Sequence, residues 1–127
     1  MKPDLPTSTP SAVEDSVSEF TLRTRAAERP ADPLVSCLVP AFNEEGNILP
    51  MLDTLHTLMN SLGLRHELIV IDDGSRDSTV ERVMSVIDQL PVTLVQLSRN
   101  FGKEVALTAG IAEARGDLAV PVSYTHL

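Results

Sequence analysis

The sequence is short of cysteine, of clustered positive charge and of long apolar runs, and each shortage excludes a class of protein. With one cysteine in 127 residues, the chain has no disulfide framework. Ten Lys and Arg residues against 18 Asp and Glu give a formal net charge of -8, and no basic cluster is present to bind a nucleic-acid backbone. Residues 1–30 contain no apolar signal-peptide core, and the sequence contains no run of about 20 apolar residues, the length needed to span a membrane. The apolar fraction of 43% then predicts one soluble globular domain.

Glycine-rich phosphate-binding motifs are missing as well. The sequence contains neither G-x-x-x-x-G-K-[ST] nor G-x-G-x-x-G, which disfavours a P-loop or a dinucleotide-binding domain. A phosphate-accepting signalling domain would place an aspartate after the third predicted strand, but Ser98 stands there. We therefore expect any phosphate to be bound by a few local groups.

The most informative stretch is residues 67–79, Glu-Leu-Ile-Val-Ile-Asp-Asp-Gly-Ser-Arg-Asp-Ser-Thr. Residues 68–71 are apolar, rich in β-branched side chains and without alternation, which predicts a strand covered on both faces of a parallel sheet. Asp72 and Asp73 follow at its carboxyl end, where open α/β sheets bind ligands. Both acids could instead build a turn, but a turn needs only one acid and two adjacent ones repel, so we favour a functional pair. For Asp77 we favour helix capping over ligand contact.

Predicted strands alternate with amphipathic helices along the chain. The strands are predicted at residues 34–39, 68–71, 92–97 and 117–121. Pro40 should end the first strand, because proline cannot donate to a sheet ladder. The alternation predicts an α/β fold with a doubly wound, Rossmann-like parallel sheet whose four strand ends share one edge.

The helices are predicted from apolar residues that recur three and four positions apart. The first helix should run from Asn47 to Gly63, Ser75 or Asp77 should cap the second, and Gly116 should be the left-handed stop of the third. The predicted buried faces are Ile48, Met51, Leu52, Leu55, Leu58, Met59 and Leu62 in the first helix, Val80, Val83, Met84 and Ile87 in the second, and Val105, Ala106, Ala109, Ile111 and Ala112 in the third.

The amino-terminal segment has a different composition. Residues 1–33 are rich in Pro, Ser, Thr and charge and are predicted to be a disordered leader. Within it, Val13, Val17 and Phe20 are spaced for a brief amphipathic helix that could dock on the domain or on a membrane surface.

Three further residues have modest predicted roles. Cys37 lies in the first strand and is interpreted as a small buried hydrophobe, which fits a reducing compartment. His56 lies off the apolar stripe of the first helix and His66 precedes a strand, so we interpret both as surface residues rather than ligands.

Three polar loops should converge at the carboxyl edge of the sheet, at residues 40–47, 72–77 and 98–103. A buried carboxylate there can accept the ring N–H of uracil or guanine, which adenine and cytosine lack. A wrong base would leave it unpaired at a cost of about 1–3 kcal/mol.

Basic and amide side chains in the same loops extend this chemistry. Arg99 and Lys103, with N–H groups at the start of the third helix, form a candidate anion site for a diphosphate, and ordinary solvated charge is the alternative. Asn43 and Glu44 suit contacts to ribose or base. The edge is therefore complementary to a nucleoside diphosphate.

Three motifs resemble those of the family 2 glycosyltransferases. They are V-P-A-F-N-E-E at residues 39–45, D-D-G-S-R-D-S-T at 72–79 and L-S-R-N-F-G-K-E-V-A-L-T-A-G at 97–110. The third is most similar to the polyprenyl-phosphate branch, which includes bactoprenol glucosyltransferases and dolichol-phosphate mannosyltransferases. The resemblance implies a GT-A fold, a nucleotide-diphosphate sugar donor, Mg²⁺ or Mn²⁺, and a polyprenyl phosphate acceptor at the cytoplasmic face of the membrane. We expect the donor to be a UDP-sugar.

The resemblance also implies site residues. Those expected to contact the nucleotide sugar are Pro40, Asn43, Glu44, Asp72, Asp73, Arg99 and Lys103. Among them Asp73 would line the nucleoside pocket and Asp72 would adjoin it, whereas Arg99 and Lys103 are weaker matches. A non-catalytic nucleotide-binding or interaction module of the same fold is the alternative function.

The sequence departs from the family after the fourth strand. A metal-binding Asp-x-Asp is expected there, but residues 122–127 read V-S-Y-T-H-L. We expect residues 34–121 to be the amino-terminal half of the domain, truncated after the fourth strand, and residues 122–127 to be non-native. The intact gene should encode acids where Ser123 and Thr125 stand. His126 is interpreted as incidental.

Two expectations follow from this truncation. The chain by itself should be inactive, although the intact protein is expected to be an enzyme. Its uncovered sheet edge and apolar helix faces should make the fold marginal and favour self-association into a homo-oligomer.

Overall fold

The structure, a computed structural model, describes residues 32–122. The predictions for the leader, for its short helix and for residues 123–127 lie outside the described residues. The elements follow in chain order: β1 Leu34–Ala41, α1 Ile48–Ser61, β2 Arg65–Asp72, α2 Thr79–Met84, β3 Val92–Gln96, α3 Lys103–Glu113 and β4 Leu118–Pro121. They form one parallel sheet in the order β3-β2-β1-β4, which confirms the predicted α/β fold.

The two inner strands are covered on both faces, as their unbroken apolar runs predict. Alternate side chains of a strand point to opposite faces of the sheet. One face packs against α1 and α2 through residues that include Cys37, Val39, Leu68, Val70 and Val83. The other face packs against α3 through Leu38, Ile69, Ile71 and Ala106. The buried Cys37 thiol is free, and burial followed by the nearby charge of Glu67 raises its pKa.

The strand order places a reversal beside β1. The chain runs from β1 to β2 to β3 in one direction and then returns to the other side of β1 to form β4. In open α/β sheets such a reversal opens a crevice at the carboxyl ends of the strands. The loops after β1, β2 and β3 all lie at this edge, because the four strands are parallel.

Pro40 lies within β1, so the prediction that it ends this strand is wrong. Backbone groups of alternate residues face opposite neighbours: the Ala41 carbonyl accepts from the Asp73 N–H on the β2 side, and the Leu38 carbonyl accepts from the Val122 N–H on the β4 side. Pro40, two residues after Leu38, faces the β4 side beyond the last β1–β4 ladder pair. Its missing N–H therefore costs no ladder bond among the described residues.

Gly63 ends α1 as predicted. Its φ is 70°, and the Gly63 N–H donates to the Asn60 carbonyl while the Leu64 N–H donates to the Met59 carbonyl, each at 3.0 Å. These are the two bonds of a Schellman motif, which a left-handed glycine permits.

Gly116 does not stop α3. The helix ends at Glu113, Ala114 is already extended, and Gly116 has no positive φ. A Cβ on Gly116 would lie 2.5 Å from Ser36 Oγ and 2.6 Å from the Leu34 carbonyl oxygen. This glycine is therefore required for the close passage of the α3–β4 connection beside β1.

Several residues predicted to be buried are exposed. Between 47% and 60% of the accessible surface remains on Leu58, Leu62, Met84, Val105 and Ile111. α2 has only six residues, so Met84 falls at its last position, away from the core. α3 lies so close to the sheet that its buried line consists of Ala106 and Gly110, which leaves Val105 and Ile111 on its outer side.

The described residues include no helix that is long and apolar enough to cross a bilayer.

Candidate functional site

Three loops meet at the carboxyl edge of the sheet and are held together by hydrogen bonds. They comprise residues 42–47 after β1, residues 73–78 after β2 and residues 97–102 after β3. We call them the three-loop cluster. It contains or adjoins every residue that the sequence assigned to the site.

Asn43 joins the first loop to the second. The Asn43 N–H donates to Ser75 Oγ, and Asn43 Oδ1 accepts from the Arg76 N–H, each at 2.8 Å. The backbone of Asn43 is left-handed, with φ 53°, a conformation that asparagine tolerates better than most residues. Asn43 therefore acts in this structure as a clamp between loops, a role that the sequence reading did not assign to it.

The two neighbouring glutamates extend this clamp. The Glu44 N–H donates to Thr79 Oγ1 at 2.8 Å, and the Glu45 N–H donates to Asp77 Oδ2 at 3.2 Å. Glu45 Oε1 accepts from the Ser78 N–H at 2.9 Å. The motif at residues 39–45 and the motif at residues 72–79 are therefore two halves of one hydrogen-bonded unit.

Asp77 lies at the centre of this unit. Its carboxylate accepts from the Thr79 N–H at 3.0 Å, from the Thr79 hydroxyl and from the Glu45 N–H. Desolvation acts to raise the pKa of Asp77, but these hydrogen bonds outweigh it, so its pKa lies below the usual range. The N-cap residue of α2 is Ser78, without a side-chain cap hydrogen bond, so the prediction that Ser75 or Asp77 caps this helix is wrong. Asp77, one residue earlier, instead binds the first N–H of α2 and fastens the β1–α1 loop.

Asp73 joins the second loop to the third. Its Oδ1 accepts from the Phe101 N–H at 2.8 Å, and its Oδ2 accepts from the Gly102 N–H at 2.9 Å and from Asn100 Nδ2 at 3.0 Å. The side chain is 4% exposed. Both oxygens are thus engaged within the protein, and a negative charge lies at the start of α3, where the helix dipole favours it.

This arrangement changes the expectation for the start of α3. The Phe101 and Gly102 N–H groups, expected to be free for a diphosphate, already bind the Asp73 carboxylate. Both Asp73 oxygens also accept hydrogen bonds already, although Oδ1 accepts only one and has a lone pair left. A nucleotide could use the two N–H groups only by replacing or sharing an existing bond.

Gly74 makes the contact between the second and third loops possible. Its φ is 78°, and a Cβ there would lie 2.5 Å from the Asn100 nitrogen and closer still to the Arg99 carbonyl carbon. Both the backbone conformation and the close approach therefore require glycine.

Asp72 differs from its neighbour. Its Oδ2 accepts from the Ser75 N–H at 3.1 Å, whereas Oδ1 is buried and has no hydrogen-bond partner. The residue is 3% exposed and lies at the last position of β2, between Ala41 and Gln96. An unsatisfied buried acceptor costs about 1–3 kcal/mol, and more when it is charged, so this oxygen is a strong candidate for contact with a ligand N–H.

The remaining predicted residues, Pro40, Arg99 and Lys103, make no side-chain hydrogen bond or ion pair with other described residues. The Arg99 guanidinium stacks on Phe101, with Cζ 4.4 Å from the ring centroid. Arg99 and Lys103 are exposed, and Pro40 is half-buried. Their assignment to donor binding stays a prediction.

The sequence predicted no role for Asn100 or Thr79 and only a helix cap for Ser75. Each holds one loop against another, and each lies inside a recognised motif. Position in a motif was the available signal, but a sequence does not show which loop a polar side chain will bind.

The Mg²⁺ or Mn²⁺ that the resemblance implies does not fit the described residues by themselves. They include no group of three or more His, Cys, Asp or Glu side chains that could hold one. Asp72 supplies one uncommitted carboxylate oxygen, and positions 123 and 125, where the resemblance places acids, lie outside the described residues. We therefore derive no chemical step through a metal.

Comparison with known sequences identifies relatives. The family model described as Glycosyl transferase family 2 matches residues 36–122. The undecaprenyl-phosphate 4-deoxy-4-formamido-L-arabinose transferase of Pseudomonas paraeruginosa is 37% identical over 89 residues, which are 68% of this chain and 26% of that protein. The dodecaprenyl-phosphate galacturonate synthase of Rhizobium johnstonii is 41% identical over 86 residues, which are 66% and 25%. The chain thus spans about a quarter of the length of these curated relatives.

Solved structures share the fold. S. aureus TarS 1–349 in complex with UDP-GlcNAc has a TM-score of 0.60 and 26% identity over 69% of this chain and 25% of that chain. The mannosyltransferase PcManGT from Pyrobaculum calidifontis, in complex with GDP-Man and Mn²⁺, has a TM-score of 0.56 and 25% identity over 82% and 32%. The four-stranded parallel sheet, its interlocked motif loops and the family match together show that the chain belongs to glycosyltransferase family 2 and has the GT-A architecture.

Proposed function

We propose that the intact protein transfers a sugar from a UDP-sugar to a polyprenyl phosphate, and that the residues described here bind the nucleoside of the donor. The names of two relatives support the acceptor class, since both act on polyprenyl phosphates. The UDP-GlcNAc complex of TarS supports the donor class.

The observation that carries the nucleoside assignment is the unpartnered Oδ1 of Asp72. An ionised carboxylate can only accept hydrogen bonds. Uracil offers N3–H, whereas cytosine has no proton on that ring nitrogen, so a carboxylate here selects a uracil-type or guanine-type edge. The base then supplies the donor that the folded protein lacks.

The other polar residues of the three-loop cluster prepare this contact. Asp73 and Gly74 fix the third loop against the second, and Asn43 fixes the first. Because Asp72 is buried, a base that reaches Oδ1 must displace the atoms that cover it. We therefore expect nucleoside binding to shift the cluster and the contact to exclude water, which strengthens it.

The later steps belong to other parts of the intact protein. The described residues bind and orient the donor but hold no assigned catalytic base and no ligand set for Mg²⁺ or Mn²⁺. We propose that Mg²⁺ or Mn²⁺, the acceptor site and an attachment to the cytoplasmic face of the membrane are supplied elsewhere, and that this chain alone has no transferase activity.

An activity assay on the intact protein tests the proposal. The protein would be incubated with undecaprenyl phosphate, a divalent metal and a radiolabelled UDP-sugar or GDP-mannose. We expect label in the lipid fraction from a UDP-sugar, and its absence without undecaprenyl phosphate. If only GDP-mannose gives label in the lipid fraction, the base of the donor is guanine rather than uracil. If no donor gives a lipid-linked sugar, a non-catalytic nucleotide-binding module is favoured.

A further inference from the structure

We propose that His56 and His66 form a transition-metal site at the amino edge of the sheet. His56 lies on α1 and His66 on β2, and both rings are half-buried. His56 Nδ1 lies 2.9 Å from His66 Nε2, and the ring centroids are 5.0 Å apart. The pair lies near the amino ends of the strands, at the opposite edge of the sheet from the three-loop cluster. The proposal is therefore independent of nucleotide binding.

The tautomer of His66 is set by its other nitrogen. His66 Nδ1 lies 3.0 Å from the Leu64 carbonyl oxygen, which can only accept a hydrogen bond. Nδ1 therefore carries the proton, and the lone pair of Nε2 faces His56. Histidines that bind metals characteristically donate the second N–H to a backbone carbonyl in this way.

The contact of His56 with Asn60 allows His56 to adopt the tautomer in which Nδ1 carries no proton. His56 Nε2 lies 3.3 Å from the side-chain amide of Asn60. Without a metal, Asn60 Nδ2 can donate to Nε2 while His56 Nδ1–H donates to His66. Rotation of the amide by a half turn presents Asn60 Oδ1 instead, so that Nε2–H donates and the Nδ1 lone pair faces the lone pair of His66.

The distances suit a borderline-soft cation. Two Zn–N bonds of about 2.0–2.1 Å at a tetrahedral angle separate their nitrogens by about 3.3 Å, so the pair must open by only a few tenths of an ångström. Imidazole favours Zn²⁺, Ni²⁺ and Cu²⁺ over Mg²⁺ and Mn²⁺.

Space and charge complete the site. A groove of about 590 Å³ adjoins the pair and has room for water ligands. The described residues offer no third His, Cys, Asp or Glu ligand, and water in the groove can fill the other positions. The net charge of -8 favours cation binding. Arg65 lines the same groove, and its positive charge opposes it.

A bound ion would connect α1 to β2 and stabilise the folded state by linkage. Calorimetry and thermal unfolding of the full 127-residue chain with Zn²⁺, and separately with Mg²⁺, test this. We expect one Zn²⁺ per chain, a rise in Tm with Zn²⁺ concentration, and no such rise with Mg²⁺. His66→Ala and the shape-conserving His56→Gln should each weaken Zn²⁺ binding at least tenfold.

The third histidine provides the matched control. His126→Ala should bind Zn²⁺ as the wild type does, and unfolding of each variant without metal shows whether it is folded. Wild-type chain that binds no Zn²⁺, folded His56→Gln that binds it normally, or loss of binding in His126→Ala would each overturn the proposal.

Discussion

At the scale of single residues, adjacent aspartates have opposite environments. Asp73 accepts three hydrogen bonds from the third loop, whereas one oxygen of Asp72 accepts none. The sequence places both acids at the end of a strand and favours Asp73 for the nucleoside. The structure favours Asp72 for base recognition, because only it retains an uncommitted buried oxygen.

Replacement of Asp73 by asparagine should destabilise the protein. In Asp73→Asn the new Nδ2 group must face at least one of the donors that now bind the carboxylate, so a buried N–H loses its partner. We expect the free energy of unfolding to fall by about 1–3 kcal/mol in urea titrations. Asp53→Asn, which makes the same chemical change at an exposed position of α1, should leave it unchanged. Equal stability of the two variants would show that the hydrogen bonds of Asp73 to the third loop do not stabilise the fold.

At the scale of elements, the second and third loops depend on Gly74. Gly74→Ala forces both a left-handed alanine and an overlap with the backbone of the third loop, so we expect a loss of about 2 kcal/mol or more. Gly46→Ala is the control, because its Cβ meets nothing within 4 Å and its φ is not positive. Chemical denaturation of both variants compares them, and a Gly74→Ala protein as stable as Gly46→Ala would show that the loops do not pack as described.

The interlock of the first and second loops should weaken in acid. The pKa of Asp77 is lower in the folded state, so its contribution to stability is fully present above the unfolded value of about 3.9 and is lost as the pH falls through the lower folded value. Unfolding free energies measured from pH 6 downward should therefore fall less steeply below pH 4 for Asp77→Asn than for the wild type. The exposed Asp88→Asn, which makes the same chemical change outside this interlock, is the control. If the unfolding free energies of all three proteins fall in parallel with pH, Asp77 does not contribute to the loss of stability in acid.

Sequence patterns predicted the periodic elements and missed what depends on neighbours. α1 was predicted within a few residues because its apolar period is long and regular, and the strands because they are short apolar runs rich in β-branched residues. Pro40 was misjudged because its missing N–H matters only where a neighbouring strand pairs, and Gly116 because it serves a close approach rather than a helix stop. The loop contacts of Asn43 and Asp73 join segments about 30 residues apart, which no local pattern reveals.

At the scale of the whole molecule, the chain exposes apolar surface on and beside α3. Phe101, Val105 and Ile111 are 42% to 59% exposed, and within the described residues β3 and β4 have unpaired outer edges. We expect concentration-dependent self-association in sedimentation velocity, reduced by the double variant Val105→Glu with Ile111→Glu. Leu62→Glu, at the end of α1, should not reduce it. A wild-type chain that stays monomeric with a sharp two-state melt would contradict this prediction.

The proposed contact between Asp72 Oδ1 and the N3–H of uracil makes a direct prediction about nucleotide affinity. The most direct measurement compares, by calorimetry, the affinities of wild type, Asp72→Asn and Asp53→Asn for UDP and for UDP methylated at N3. For wild type and Asp53→Asn, methylation should weaken binding by about 5- to 150-fold, the equivalent of 1–3 kcal/mol for a buried acceptor left unpaired. Asp72→Asn should bind UDP more weakly and show little further loss on methylation. An equal methylation penalty in all three proteins would contradict the account, because the uracil N3–H would then be recognised without Asp72.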